Sequence, residues 1–300
     1  MDFHKKYLKY KSKYMQLKMN QTGGAITSEN TGNQHVLDFV REIQGKIQGL
    51  KVEAKTYTDT ENQKQIHIVK IILDDHAEED KPSLFVVAGL SHNSFMKTSN
   101  IILDGIGKLK TKFKELYLVQ TSSFKDDQGE ACLERDKIKG LGGKYEDVYK
   151  PELDMNQRIA NFLNNIITEE LHLENVHLLG KCNGGWVVTL LLMLNNIYKG
   201  LYLAVPGIPF NVTILNHLDE RRLKEINFVF GFVKQDEYLF NWGVQSCMEY
   251  GRYDETMKSL SRTHEIKYKI RMYDNGNDPH KDMYHEIDPR MIDDIIESLE

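Results

Sequence analysis

The sequence predicts an α/β fold: a mostly parallel sheet with helices on both faces, preceded by a short basic N-terminal helix. Two observations carry this. The segments Leu84–Ala88, Val176–Leu179, Leu201–Val205 and Ile226–Phe232 are short and almost wholly apolar, whereas a strand with one wet face alternates; strands of this kind are covered on both sides. Between them lie segments of helical period, and the strand-then-helix order supplies the crossovers that parallel neighbours require. No internal repeat and no second compositional block interrupts residues 34–300, which read as one domain after a leader (1–24) and a polar linker (25–33).

Taken in order, the leader places Tyr7, Tyr10, Tyr14 and Leu17 on one face of a helix, at 3-4-3 spacing, with lysines around them. Residues 35–50 read as a helix with Val36, Phe39, Val40, Ile43 and Ile47 on one side. Residues 52–58 and 65–73 read as strands, and 74–81 as an acidic turn. The strand Leu84–Ala88 is followed by a helix over 98–113, the strand 116–120, and a helix over 154–171. Next come the strand Val176–Leu179, a helix over 186–198, strands at 201–205, 226–232 and 266–273, and a closing helix over 289–299. Residues 122–153 break the rhythm. They are long, charged and glycine-bearing, and long loops in compact domains are commonly functional or mobile. Their Gly140-Leu141-Gly142-Gly143 run lacks the Lys-Ser/Thr ending of a phosphate-binding loop.

Composition narrows the function. With 40% hydrophobic and 28% charged residues, the chain can bury a sizeable core. A net charge of −5 gives no reason to expect nucleic acid as a partner of the main domain. Charge is uneven: six lysines against Asp2 give residues 1–24 a net +5, so the remaining 276 carry −10. Three widely spaced cysteines, Cys132, Cys182 and Cys247, form no disulfide framework and fit a reducing compartment. No apolar run reaches the length of a membrane span. The leader has no apolar core of the kind a secretory signal needs, so an intracellular location is expected.

Function is concentrated in residues 176–194. An apolar strand runs into Gly180-Lys181-Cys182-Asn183-Gly184-Gly185 and then directly into a second apolar run. A nucleophile raised on such a tight turn occupies a sparsely allowed backbone region and needs neighbours without side chains. Gly180 and Gly184 give that clearance, and Gly185 lets the following helix approach the sheet. The Asn183 amide and the positive helix end would stabilise an oxyanion and favour a thiolate.

This Gly-x-Cys-x-Gly-Gly turn resembles the nucleophile elbow of the α/β-hydrolase family, with cysteine in place of the usual serine. It is similar to the elbows of dienelactone hydrolases and polyhydroxyalkanoate synthases, which form acyl-enzyme thioesters. The resemblance spans residues 50–300. It implies an acid in a loop after a later strand, a histidine after the last strand, and an oxyanion loop after the strand at 84–88. Asp236 stands where the acid is expected, with Glu237 as an alternative because the spacing from Gly231 is long. His280, just beyond the Asn275-Gly276 turn, best fits the histidine, and His285 is the competitor. Leu90, in Ala88-Gly89-Leu90-Ser91-His92, would supply the second oxyanion amide, and His92 reads as a loop residue. The His280/His285 pair lacks a third ligand, so no metal is expected, and no cofactor.

The resemblance therefore implies a hydrolase or acyltransferase acting on a small-molecule ester, thioester or lactone through a Cys-His-Asp triad. The other reading is an inactive hydrolase-fold scaffold in a viral particle. Residues 5–14, Lys-Lys-Tyr-Leu-Lys-Tyr-Lys-Ser-Lys-Tyr, closed by Gly23-Gly24, resemble a leader seen on many proteins of giant DNA viruses. That resemblance implies a protein of the host cytoplasm or one packaged in a virion, and the leader's +5 charge beside a −10 body leads us to expect an acidic or particle partner for it. Lys181, beside Cys182, either lowers the thiol pKa or points to solvent.

Overall fold

A computed structural model of the protein describes residues 26–75, 81–124, 150–205, 215, 217–234, 236, 246–274 and 285–300. The leader, Cys132, Glu237, His280 and most of the 122–153 segment lie outside the described residues.

Among the described residues, nine strands form one sheet: β1 Ile26–Asn30, β2 Lys51–Asp59, β3 Lys64–Ile72, β4 Ser83–Val87, β5 Glu115–Gln120, β6 Val176–Lys181, β7 Tyr198–Ala204, β8 Asn227–Val233 and β9 Lys267–Tyr273. Their order across the sheet is β1-β2-β3-β5-β4-β6-β7-β8-β9. β1, β2 and β3 pair antiparallel, as do β3 and β5. From β5 through β4 to β9 every pair is parallel. β4 and β6, buried along their whole length, are the continuous apolar strands that a sheet covered on both faces requires.

The described helices are α1 Gln34–Lys46, α2 His92–Asp104, α3 Ile106–Lys112, α4 Lys150–Asn165, α5 Asn183–Leu194, α6 Glu220–Glu225, α7 Ser246–Thr263 and α8 Arg290–Glu297. Two apolar cores follow from the sheet. On one face Leu84, Val86 and Leu118 pack with Phe39 of α1, Phe95 of α2, Leu109 of α3 and Met291 of α8. On the other, Phe85, Val87 and Leu178 pack with Ile159 of α4, Val187 and Leu191 of α5, and Tyr253 of α7. α5 is apolar nearly all round, with Gly184 through Leu192 buried, as befits a helix enclosed by the sheet and α4.

Several boundaries differ from those read in the sequence. Residues 26–30, expected in a linker, form β1. The strand is almost wholly exposed and lacks apolar alternation, so only its backbone ladder to β2 reveals it. The single helix expected over 98–113 is two, α2 and α3, joined at Gly105. A side chain there would collide with Ile292 of α8, so this glycine lets α8 seat on the junction. α5 starts three residues earlier than expected and ends at Leu194, and β7 starts at Tyr198. α4 ends in a π-helical turn, Ile166–Glu170.

Candidate active site

The C-terminal ends of the parallel strands converge on Cys182, which follows β6 and precedes α5. Its backbone has φ 53° and ψ −123°, a region that costs a non-glycine residue on the order of 1–3 kcal/mol and is held only by its surroundings. Those surroundings are specific. The Cys182 N–H donates to Ala204 O at 3.2 Å and its carbonyl accepts the Gly185 N–H at 2.9 Å. A Cβ on Gly180 would run into the Gly184 carbonyl, the Gly185 Cα and Val188; one on Gly184 would strike the carbonyls of Val87 and Ala88 at the end of β4. The three elbow glycines thus permit one contact surface between strand, turn and helix. Gly184 closes on the end of β4, and Gly185 lies against Gly180 of β6.

Behind the turn, Asn183 is fixed by its side chain. Asn156 Nδ2 donates to Asn183 Oδ1 at 3.1 Å, and Asn183 Nδ2 donates to Asn156 Oδ1 at 2.7 Å. Its backbone N–H bonds the Cys182 sulfur. The loop expected to supply the second oxyanion amide lies against Cys182, since a Cβ on Gly89 would sit 3.8 Å from Cys182 Cβ. The Gly89 N–H is taken by Ser94 Oγ at 3.2 Å, and Leu90 is buried beside it.

Asp236 follows β8 and is buried; its Oδ2 accepts the Nδ1–H of His285 at 2.8 Å. The same imidazole interacts with the Cys182 sulfur. With Nδ1 held by Asp236, Nε2 is the ring nitrogen left for proton exchange. The structure brings together Cys182, Asp236 and His285. His280, favoured from the sequence, lies outside the described residues, as does Glu237, and the position between acid and sulfur is filled by the alternative, His285.

The electrostatics follow from this contact. Burial pushes the Cys182 thiol up, but the His285 charge and hydrogen bond, the Lys181 ammonium and the Asn183 N–H outweigh it and hold the thiol below its ordinary value. Burial pushes His285 down, yet the neighbouring Cys182 and the bond to Asp236 raise it to about 9. Both shifts favour the thiolate–imidazolium form of the pair over the neutral one.

Lys181 does not point to solvent. Its ammonium is buried, 3.2 Å from Glu286 Oε2 and within a 3.2 Å hydrogen bond of Ser94 Oγ. The sequence reading missed Ser94, Asn156 and Glu286. Asn156 had a signal, since it interrupts an apolar helical stripe of Met155, Ile159, Ala160 and Leu163; Ser94 and Glu286 had none. His92, read as a loop residue, is instead the first residue of α2 and bonds Gln120 at 2.9 Å. Among the described residues no group of three His, Cys, Asp or Glu side chains could hold a metal ion. No described helix is long and apolar enough to cross a membrane.

The strand order, with antiparallel strands ahead of a parallel run, and the strained elbow after β6 define the fold. It is the α/β-hydrolase fold. No protein-family model matches the chain, and no curated protein matches it. Solved structures resemble it at low identity. A predicted CIB-like hydrolase from Thermoplasma acidophilum is 11% identical with a TM-score of 0.46, covering 84% of this chain and 99% of its own. The enterobactin hydrolase IroE is 9% identical with a TM-score of 0.49, covering 86% and 99%. An acetyl xylan esterase from Thermoanaerobacterium is 11% identical with a TM-score of 0.43, covering 95% and 93%. At these identities the likeness concerns the fold alone.

Proposed function

We propose that the protein is a carboxylic ester hydrolase or acyltransferase that cleaves an ester, thioester or lactone through Cys182, His285 and Asp236. The observation that carries this reading is the His285 imidazole, bonded to Asp236 at 2.8 Å and interacting with the sulfur at the apex of the strained turn.

The Cys182 thiolate attacks the acyl carbon, and the C=O π electrons move onto oxygen. The amides of Leu90 and Asn183 bind that oxyanion, Gly89 being committed to Ser94. As the tetrahedral adduct collapses, the bond to the leaving oxygen or sulfur breaks and His285 gives its proton to it. A thioester remains on Cys182. Water, or an acceptor hydroxyl or thiol, then loses a proton to His285 and attacks that thioester, restoring the thiolate–imidazolium pair. Asp236 orients the ring and stabilises its charged form. A thiolate needs less help from a base than a hydroxyl and leaves well, which favours activated acyl groups over amides.

Turnover of p-nitrophenyl acetate and iodoacetamide labelling of the full chain test the reading. Selective labelling of Cys182 over Cys132 and Cys247 at pH 7 is expected. Cys182→Ala should abolish turnover with the fold intact, and Cys182→Ser should keep a trace. His285→Gln should lower turnover by about 10²–10⁴-fold, the usual worth of a general acid–base, and raise the pH midpoint of alkylation. Equal labelling of all three cysteines with no ester cleaved would refute it.

A further inference from the structure

Lys181 is the last residue of β6, yet its side chain is only 4% exposed and pairs with Glu286, itself 7% exposed, across 3.2 Å. Its Nζ also donates to Ser94 Oγ at 3.2 Å, and that oxygen accepts the Gly89 N–H at 3.2 Å. One ammonium therefore touches three segments at once. It adjoins Cys182 in the chain, reaches the oxyanion loop through Ser94, and reaches the loop of His285 through the adjacent residue Glu286. Desolvating two charges is costly, and well-packed apolar residues commonly do as well or better for stability alone. A buried pair at this junction calls for a role other than holding the fold.

We propose that Lys181 and Glu286 are positioning residues for the chemistry of Cys182: a buried ion pair that keeps the nucleophile elbow, the oxyanion loop and the histidine loop in register and sets the field at the sulfur. This rests on the reading of Cys182 as the nucleophile.

Among the described residues, the charged groups acting on the sulfur are His285, with Asp236 behind it, and Lys181 from β6; Glu286 stands one step further out, against Lys181 and His285. Lys97 of α2 acts on Glu286 from outside. The Lys181 ammonium favours the thiolate and the Glu286 carboxylate opposes it, so removing each must shift the thiol in opposite directions. A purely structural pair would move both variants alike. The register role adds a second signature, because Ser94 loses the donor that ties it to the elbow.

The experiment uses the full chain and measures iodoacetamide alkylation of Cys182 from pH 5 to 10, with kcat and KM on p-nitrophenyl acetate. Lys181→Met is expected to raise the alkylation midpoint, each unit slowing the reaction about tenfold below it. Glu286→Gln is expected to lower the midpoint. Both leave one buried group without its partner and should lower the melting temperature. The double variant Lys181→Met/Glu286→Leu removes both charges and should recover that temperature, while kcat stays at least tenfold below the natural chain with KM little changed. Unmoved midpoints, shifts of the same sign in both single variants, or a stable double variant with natural kcat would each overturn the inference. If the single variants do not fold, the double variant decides it alone. Absence of selective Cys182 labelling in the natural chain overturns the nucleophile reading, and this inference with it; selective labelling with unmoved variants overturns this inference only.

Discussion

Asn156 and Asn183 exchange two side-chain hydrogen bonds, at 3.1 and 2.7 Å, and so join the buried face of α4 to the first residue of α5. Asn156 is fully buried. The pair fixes the residue whose backbone N–H meets the sulfur, linking packing between two helices to the geometry of the turn.

Asn156→Ala leaves the Asn183 amide facing a buried space without its partner. Stranding a buried polar group costs about 1–3 kcal/mol, and the new cavity adds to it. Urea unfolding should show a lower midpoint with an unchanged slope. An unaltered midpoint would show that the pair contributes nothing.

The strained turn predicts an unusual order of stabilities at Cys182. Alanine keeps the penalty of a side chain at φ 53°, whereas glycine is free of it. Cys182→Gly should be more stable than Cys182→Ala by about 1 kcal/mol, the relief of strain outweighing the greater entropy of the unfolded chain. Thermal unfolding of the two inactive variants makes the comparison. If Cys182→Ala is the more stable, the turn is not strained in the native protein.

A pH dependence is expected away from the site, where α8 docks on β9. Asp294 accepts a 2.7 Å bond from Tyr273 and lies 3.1 Å from Lys269 and 3.3 Å from Arg271. Burial pushes its carboxyl up, but the hydrogen bonds from Tyr273, Lys269 and Arg271 and the Lys269 charge win and hold it below the usual carboxylate value. A depressed carboxyl contributes stability above its unfolded value, near pH 4, and loses it as pH falls through the folded value. Asp294→Asn should cost about 1.5–3 kcal/mol at pH 7, the worth of hydrogen bonds to a charged group. The gap to the natural chain should close as pH falls below 4. A gap independent of pH would show that charge plays no part.

The parallel half of the sheet was legible because burial on both faces leaves its mark in each strand: a run such as Leu84–Val87 has no wet side. β1 was not, since a polar edge strand is stabilised by backbone bonds that any sequence can make. The break at Gly105 was hidden for a similar reason. The side chain that lies against it is Ile292, far along the chain, and a glycine inside an apolar helical pattern carries no sign of what packs on it.

The sequence by itself determined where the proposed nucleophile stands. Gly180, Gly184 and Gly185 around Cys182 allow one kind of turn, because bare Cα atoms at those positions are the steric condition for it. It also placed Asp236 after its strand. What only the tertiary structure decided is which side chains meet there. His285 reaches an aspartate 49 residues away, and the loop that brings it lacks the periodicity from which a sequence can be read. Lys181 turns inward because Ser94 and Glu286, 87 and 105 residues distant, wait for its charge. Local spacing records backbone sterics and burial; the pairing of charges across a fold depends on the path of the whole chain.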